Sequence, residues 1–80
     1  MNYNYKMSIK KNELEAIIQT KFPNAIFECI DTIGDGDHWK LIIESPEFAN
    51  MTRLQKHRIV NERMKEDIDR QIHAIEFVIK

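Results

Sequence analysis

Ile33-Gly34-Asp35-Gly36-Asp37-His38-Trp39 carries the only two glycines of an 80-residue chain, one on either side of Asp35. Glycine is the residue that takes a positive φ or a sharp reversal without steric penalty. An apolar-rich run, residues 25–33, precedes this stretch, and a second, residues 39–43, leaves it. Two such runs joined by a short Gly/Asp segment predict a β-hairpin. Its tip then projects Asp35, Asp37 and His38 together. A histidine at the mouth of a turn, with an aromatic residue behind it, is the first candidate for chemistry in the chain.

The remaining elements follow outward from the hairpin. Its strands are residues 25–32 and 39–45. In the second, Trp39, Leu41 and Ile43 share one face and Lys40, Ile42 and Glu44 the other. Ile42 breaks the alternation, which predicts partial cover on that face. Upstream, residues 8–21 predict a helix in which Leu14, Ile17 and Ile18 form an i, i+3, i+4 stripe. Ser8 and Asn12 are its candidate N-caps, Asn12 with Glu15 at the N3 position, and Pro23-Asn24 ends it. Downstream, Ser45-Pro46-Glu47-Phe48 predicts one short turn with Pro46 at its first helical position, anchored by Phe48. Thr52 followed three residues later by Gln55 is a capping-box pattern and opens a long helix that runs to about Asp69. Leu54, His57, Val60, Met64 and Ile68 lie on its apolar arc. Residues 73–79 alternate, with Ile75, Phe77 and Ile79 on one side and Glu76 on the other, and predict a third strand.

The order is α-β-β-α-α-β. The short loop makes the first two strands antiparallel, and the helical crossover of more than a dozen residues lets the third lie parallel to the second. The expected fold is α+β: a two-layer sandwich in which a three-stranded mixed sheet carries its helices on one face. One domain spans residues 8–80, after a flexible N-terminal tail, residues 1–7, in which Met7 is a second candidate start. The expected core is Leu14, Ile17, Ile18, Leu41, Ile43, Val60, Met64, Ile68, Ile75 and Phe77.

Composition narrows the function. Hydrophobic residues make up 42% of the chain and charged residues 31%, a globular balance. A domain this small does not enclose a deep catalytic cavity. The formal net charge of −1 gives no global attraction for nucleic acid or an anionic membrane. A single cysteine, Cys29, excludes an internal disulfide, so the fold does not depend on an oxidising compartment. No apolar run approaches the roughly 20 residues of a membrane span. Residues 1–7 lack the apolar segment of a secretory signal, and a cytoplasmic protein is expected.

The chain resembles the BolA family. The resemblance rests on Gly34-Asp35-Gly36-Asp37-His38-Trp39 after the first strand, on Leu41 to Ser45, on Phe48, on Arg53-Leu54-Gln55-Lys56-His57-Arg58-Ile59-Val60, and on Ile72-His73-Ala74-Ile75. It covers roughly residues 8–80, in the same order and at similar spacings. It implies a class II KH-like fold, which agrees with the topology above. One departure is visible: the family usually has a glycine soon after the phenylalanine, and here Ala49-Asn50 stands instead. Asparagine tolerates the left-handed region, so the turn is expected to survive.

The resemblance implies a partner rather than a reaction. BolA-like proteins associate with monothiol glutaredoxins, and the pair holds a bridging [2Fe–2S] cluster whose other ligands are thiolates of the partner and of glutathione. The isolated chain then carries no cofactor and is a monomer or weak homodimer. Carried over residue by residue, the ligands from this chain are His38 and His73. The chemistry is sound: a neutral imidazole ligates iron well, and replacing thiolate by histidine on one iron raises the cluster potential. The role implied is an adaptor in iron–sulfur cluster trafficking or iron sensing, a setting that includes stress response.

Plainer readings stand beside each of these. A turn histidine such as His38 is ordinarily a solvated loop residue, and His73 at a strand start is ordinarily hydrogen-bonded to a neighbouring backbone group. His57, on the apolar arc, reads as structural, with a ring nitrogen satisfied by a hydrogen bond. Cys29 lies inside a predicted strand, away from the loop where some BolA relatives place a cysteine ligand, and reads as a small buried hydrophobe. Asp35 and Asp37 make too sparse an oxygen set for calcium and read as turn-forming residues. The alternative function is a DNA-binding transcriptional regulator that uses Arg53, Lys56, Arg58 and Arg63 of the long helix. Glu62, Glu66, Asp67 and Asp69 on the same helix oppose that, and the GXXG loop of nucleic-acid-binding KH domains is missing. No Ser-His-Asp order, Walker loop or CxxC is present, so a non-enzyme is expected.

Overall fold

A computed structural model describes residues 9–72 and 74–80. The expectations for residues 1–7, for Ser8 as an N-cap and for His73 lie outside the described residues. Helix α1 is Lys11–Lys21, strand β1 Ile26–Asp31, strand β2 His38–Glu44, helix α2 Arg53–Gln71 and strand β3 Ala74–Ile79, with a short 3₁₀ turn over Pro46–Phe48 before α2. β2 is central: β1 pairs with it antiparallel and β3 parallel. The α+β sandwich read from the sequence is the fold of this chain.

Register explains the layers. Phe27, Ile43 and Ile79 form one rung across the sheet, and Cys29, Leu41 and Phe77 the next. With Trp39 and Ile75 they line the face covered by the two helices, where Leu14, Ile18, Val60 and Met64 are fully buried. The open face carries Glu28, Ile42 and Val78 on one rung and Ile30, Lys40 and Glu76 on the next. The cover expected over Ile42 comes from its own sheet neighbours: it is half-buried between Glu28 and Val78, with no further layer above it among the described residues.

Three sequence expectations are corrected. Helix α1 starts at Lys11, not at Asn12; Lys10 is the N-cap, and its backbone N–H donates to Glu13 Oε1 at 3.0 Å. Asn12 is already helical, so Glu13 rather than Glu15 closes the first turn. Leu54 is 58% exposed. It is six residues from Val60, which at 100° per residue turns it off the stripe that Val60 and Met64 define, whereas His57 and Lys56, three and four residues back, are half-buried on it. Helix α2 also runs two residues beyond Asp69, to Gln71.

The core gains residues that the periodic stripes did not include. Ile9, Phe22 and Ile72 are buried, while Ile17, Ile68, Ile75 and Phe77 pack at its margin. Phe22 leaves the helix with φ −134°, donates its N–H to Ile18 O at 2.8 Å and meets Phe48 edge to face, 6.2 Å between centroids. Above it lies the Arg63 guanidinium, 5.0 Å from the ring centroid. Arg63 also donates to Glu47 Oε2 at 2.9 Å and to Lys21 O at 3.2 Å, so it clamps the end of α1 to the 3₁₀ turn.

The two local signals before α2 hold as read. Gln55 N–H donates to Thr52 Oγ1 at 3.1 Å and Thr52 N–H to Gln55 Oε1 at 2.9 Å, a complete capping box. Asn50 has φ 69°, in the left-handed region that glycine and asparagine tolerate best. Replacing Asn50 by glycine should therefore leave urea stability within about 0.5 kcal/mol, and replacing it by alanine should cost about 1 kcal/mol. Equal losses from the two substitutions would mean that the Asn50 side chain, not its backbone, holds the turn.

Candidate functional site

The hairpin loop, residues 32–37, is a set of mutually anchored backbone groups. Gly34 and Gly36 have φ 77° and 71°, and their positive values let both N–H groups turn back onto one carboxylate. Asp31 Oδ1 accepts from Gly34 N at 2.9 Å and Asp31 Oδ2 from Gly36 N at 2.8 Å. Gly36 O accepts from the Trp39 indole at 3.0 Å and from Ile9 N at 3.1 Å. The indole ring is buried beneath the loop, so the loop is pinned to the core from below and to the chain entering α1 from the side.

Asp35 organises the other half. Its Oδ1 accepts from Asp37 N at 2.9 Å and His38 N at 3.2 Å, and its Oδ2 lies 2.8 Å from His38 Nδ1. The Asp37 N–H, with the His38 ring and the His38 N–H adding to it, holds the Asp35 carboxyl below the usual carboxylate range. A carboxyl held low in the folded state contributes stability above the ordinary carboxylate range and loses it as pH falls through the lowered value. The turn-forming reading thus holds for Asp35. Asp37 acts differently. Its backbone carbonyl accepts from Ala74 N at 2.9 Å, and its Oδ1 is buried with no hydrogen-bond partner among the described residues.

The loop and the start of β3 lie together. His38 opens β2, its side chain 41% exposed, and shares a rung with Ala74, the residue that follows His73 in the sequence. Parallel neighbours are about 4.8 Å apart across such a rung. His38, Ala74, Thr32, Trp39, Ile75 and Glu76 line a shallow depression of about 250 Å³ at this end of the sheet. A larger one, about 420 Å³, lies at the opposite end, among Ile26, Glu44, Phe48, Lys56 and Lys80, and contains no candidate ligand. Among the described residues no group of three or more His, Cys, Asp or Glu side chains could hold a metal ion.

The other sequence candidates fall elsewhere. His57 is half-buried on α2. Its carbonyl accepts from Asn61 Nδ2 at 2.8 Å, and the hydrogen bond expected at its ring is not formed among the described residues. Arg53 and Arg58 are exposed and Lys56 half-buried, while Arg63 is held by Glu47, whose hydrogen bond pushes the guanidinium pKa up. Sequence reasoning passed over Asp31, whose spacing of three and five residues to the two glycines is the signal for an aspartate that caps them. Nor does the sequence distinguish Asp67 from the other acidic residues of the long helix. Asp67 is buried on the Val60–Met64 stripe, with Lys21 Nζ 3.7 Å from its Oδ2.

Cys29 is 1% exposed on the core face of β1, and burial, with Glu15 adding to it, pushes its thiol up to about 11. It is neither a thiolate nucleophile nor an exposed ligand. Because the unfolded thiol ionises first, the stability gained by keeping this thiol protonated in the fold is complete below about pH 9 and is lost as pH rises toward 11. Iodoacetamide should consequently label Cys29 at pH 8 only as fast as the chain unfolds; labelling at the rate of a free thiol peptide in the absence of urea would contradict its burial.

No helix among the described residues is long and apolar enough to cross a membrane. Comparison with known proteins agrees with the fold. The model of the BolA-like protein family matches residues 9–80. An uncharacterized protein of Rickettsia prowazekii is 30% identical over 69 residues, 86% of this chain and 90% of that protein. Human BolA-like protein 3 is 34% identical over 61 residues, 74% of this chain and 56% of that one. Among solved structures, BolA1 from Arabidopsis thaliana superposes with a TM-score of 0.71 at 23% identity, covering 90% of this chain and 93% of its own. The BolA domain of SufE1 from the same plant gives 0.72 at 16% identity, covering 91% and 94%. With its sheet order, its hairpin loop and a family match over nearly its whole length, this chain belongs to the BolA-like proteins.

Proposed function

We propose that this protein is a non-catalytic adaptor that joins a monothiol glutaredoxin to hold or pass on a bridging [2Fe–2S] cluster, with His38 and His73 as its ligands. The observation that carries the reading is the rung shared by His38 and Ala74. It sets the hairpin histidine beside the strand start that follows His73, at an open end of the sheet. A second protein and glutathione supply the thiolates, which fits a chain whose one cysteine is buried and protonated. The partly exposed imidazole of His38, backed by a carboxylate, is a donor suited to ferric and ferrous iron. The cluster is cargo shared across the interface, and the chain alone is a monomer or weak homodimer. The work belongs to iron–sulfur cluster trafficking or iron sensing in the cytoplasm.

Transcriptional regulation through DNA is the weaker reading. Arg63, one of its four basic residues, is committed to Glu47 and Lys21 O, which leaves Arg53, Lys56 and Arg58. The test of the main reading is anaerobic mixing of the chain with a monothiol glutaredoxin, glutathione, iron and sulfide. A one-to-one complex is expected, with visible absorption and circular dichroism distinct from those of the glutaredoxin alone. Additive spectra and separate elution of the two proteins would overturn it.

A further inference from the structure

We propose that Asp35 is a positioning residue that holds His38 as its Nδ1–H tautomer and so places the ligating lone pair on Nε2. This rests on the reading of His38 as a cluster ligand and names the residue that makes it one.

The argument is geometric. Asp35 is itself held by the turn: Oδ1 is occupied by the N–H groups of Asp37 and His38, which orients Oδ2 onto His38 Nδ1 at 2.8 Å. An ionised carboxylate only accepts hydrogen bonds, so the proton in this contact sits on Nδ1. Iron is ligated by a neutral imidazole, and a neutral ring with its proton on Nδ1 has its lone pair on Nε2. The main-chain bond to His38 N and the side-chain bond to Nδ1 come from one carboxylate, so backbone and ring of His38 are oriented together. Asp31 fixes the far side of the same loop through Gly34 and Gly36, and the Trp39 indole fixes its floor through Gly36 O. The ring therefore sits on a turn whose hydrogen bonds are supplied by this chain's own residues. A carboxylate on the non-ligating nitrogen is also the arrangement that fixes the tautomer and orientation of metal-bound histidines in general.

Asp35→Asn separates this role from a purely structural one. The amide oxygen can keep both main-chain bonds, so the turn survives, but the amide nitrogen that faces the ring donates and cannot accept. The expected result is a change of His38 to the Nε2–H tautomer, read from long-range ¹⁵N–¹H correlations of the labelled apo protein, with His38 resonances assigned by loss in His38→Gln. In the mixed complex the same substitution should weaken cluster retention by about 10–100-fold. Asp35→Ser, too short to reach the ring but able to cap Asp37 N, should give a mixture of tautomers. An Nε2–H tautomer in the unsubstituted apo protein, or an unchanged tautomer in Asp35→Asn, would overturn the assignment. The unsubstituted complex is the control for the function itself: if it gains no cluster while the tautomers change as stated, the proposed function fails and only the control of the His38 tautomer by Asp35 stands.

Discussion

Phe22→Ala should cost about 3–5 kcal/mol of folding stability, the loss expected for a fully buried aromatic residue whose cavity cannot collapse. Phe22 is 0% exposed, lies edge to face with Phe48 and carries the Arg63 guanidinium on its ring. Its removal empties the junction of α1, the 3₁₀ turn and α2 at once. The Arg63 bonds to Glu47 and Lys21 O would have to span a void. A domain of 80 residues has on the order of 4–12 kcal/mol in total, so this one substitution removes roughly a quarter or more of it. Urea unfolding followed by far-ultraviolet circular dichroism measures the loss directly. A cost below about 1 kcal/mol would mean that the junction relaxes around the cavity and that the packing described here does not hold the two helices together.

That residue also shows where sequence periodicity stops. Leu14 and Ile18 are legible as a stripe because both are inside α1; one more step of four reaches Phe22, but Pro23 ends the helix there and the ring is buried from a non-helical backbone. Ile9 precedes the helix and joins the core where its N–H meets the hairpin loop, a contact between segments 27 residues apart in sequence (36 − 9). Asp67 is buried on an apolar stripe because Lys21 of the other helix lies beside it. Each of these depends on tertiary contacts that no local window contains. Signals that complete themselves within a few residues are readable: the Thr52–Gln55 capping box, the left-handed Asn50 and the Gly34–Gly36 turn; the parallel crossover is readable because the length of the intervening helix constrains topology.

The candidate site divides along the same line. His38 stands out in the sequence as a histidine beside a glycine-rich turn. Asp35 was legible as a turn former, and its bond to the His38 ring follows from the three-residue spacing once the turn is closed. Asp31 was not singled out, because its two glycine partners lie three and five residues downstream and the cap exists only when both take positive φ. The partnership of His38 with the beginning of β3 needs the register of a parallel pair, which follows from topology rather than from any motif.

The second large effect concerns the proposed ligands. His38→Ala removes a partly exposed ring, and Asp35 Oδ1 retains its bonds to the Asp37 and His38 N–H groups. The loop should therefore stay folded, with a stability change under about 1 kcal/mol. In the mixed complex the same substitution deletes one protein ligand of the cluster, and a lost ligand, unlike a loosened one, is expected to abolish the mixed-ligand spectrum rather than weaken it. His73→Ala should act in the same way. Binding of the glutaredoxin itself should survive in both variants, since most of a protein interface is independent of two side chains, so loss of the cluster without loss of the complex is the diagnostic pattern.

The most direct test is the visible circular dichroism of the anaerobically reconstituted complex, recorded for the unsubstituted chain, His38→Ala, His73→Ala and the double variant at equal protein concentration. The account predicts a distinct spectrum for the unsubstituted complex, its loss in each single variant, and in the double variant a spectrum no different from that of the glutaredoxin alone. A double variant that keeps the full spectrum of the unsubstituted complex would contradict it.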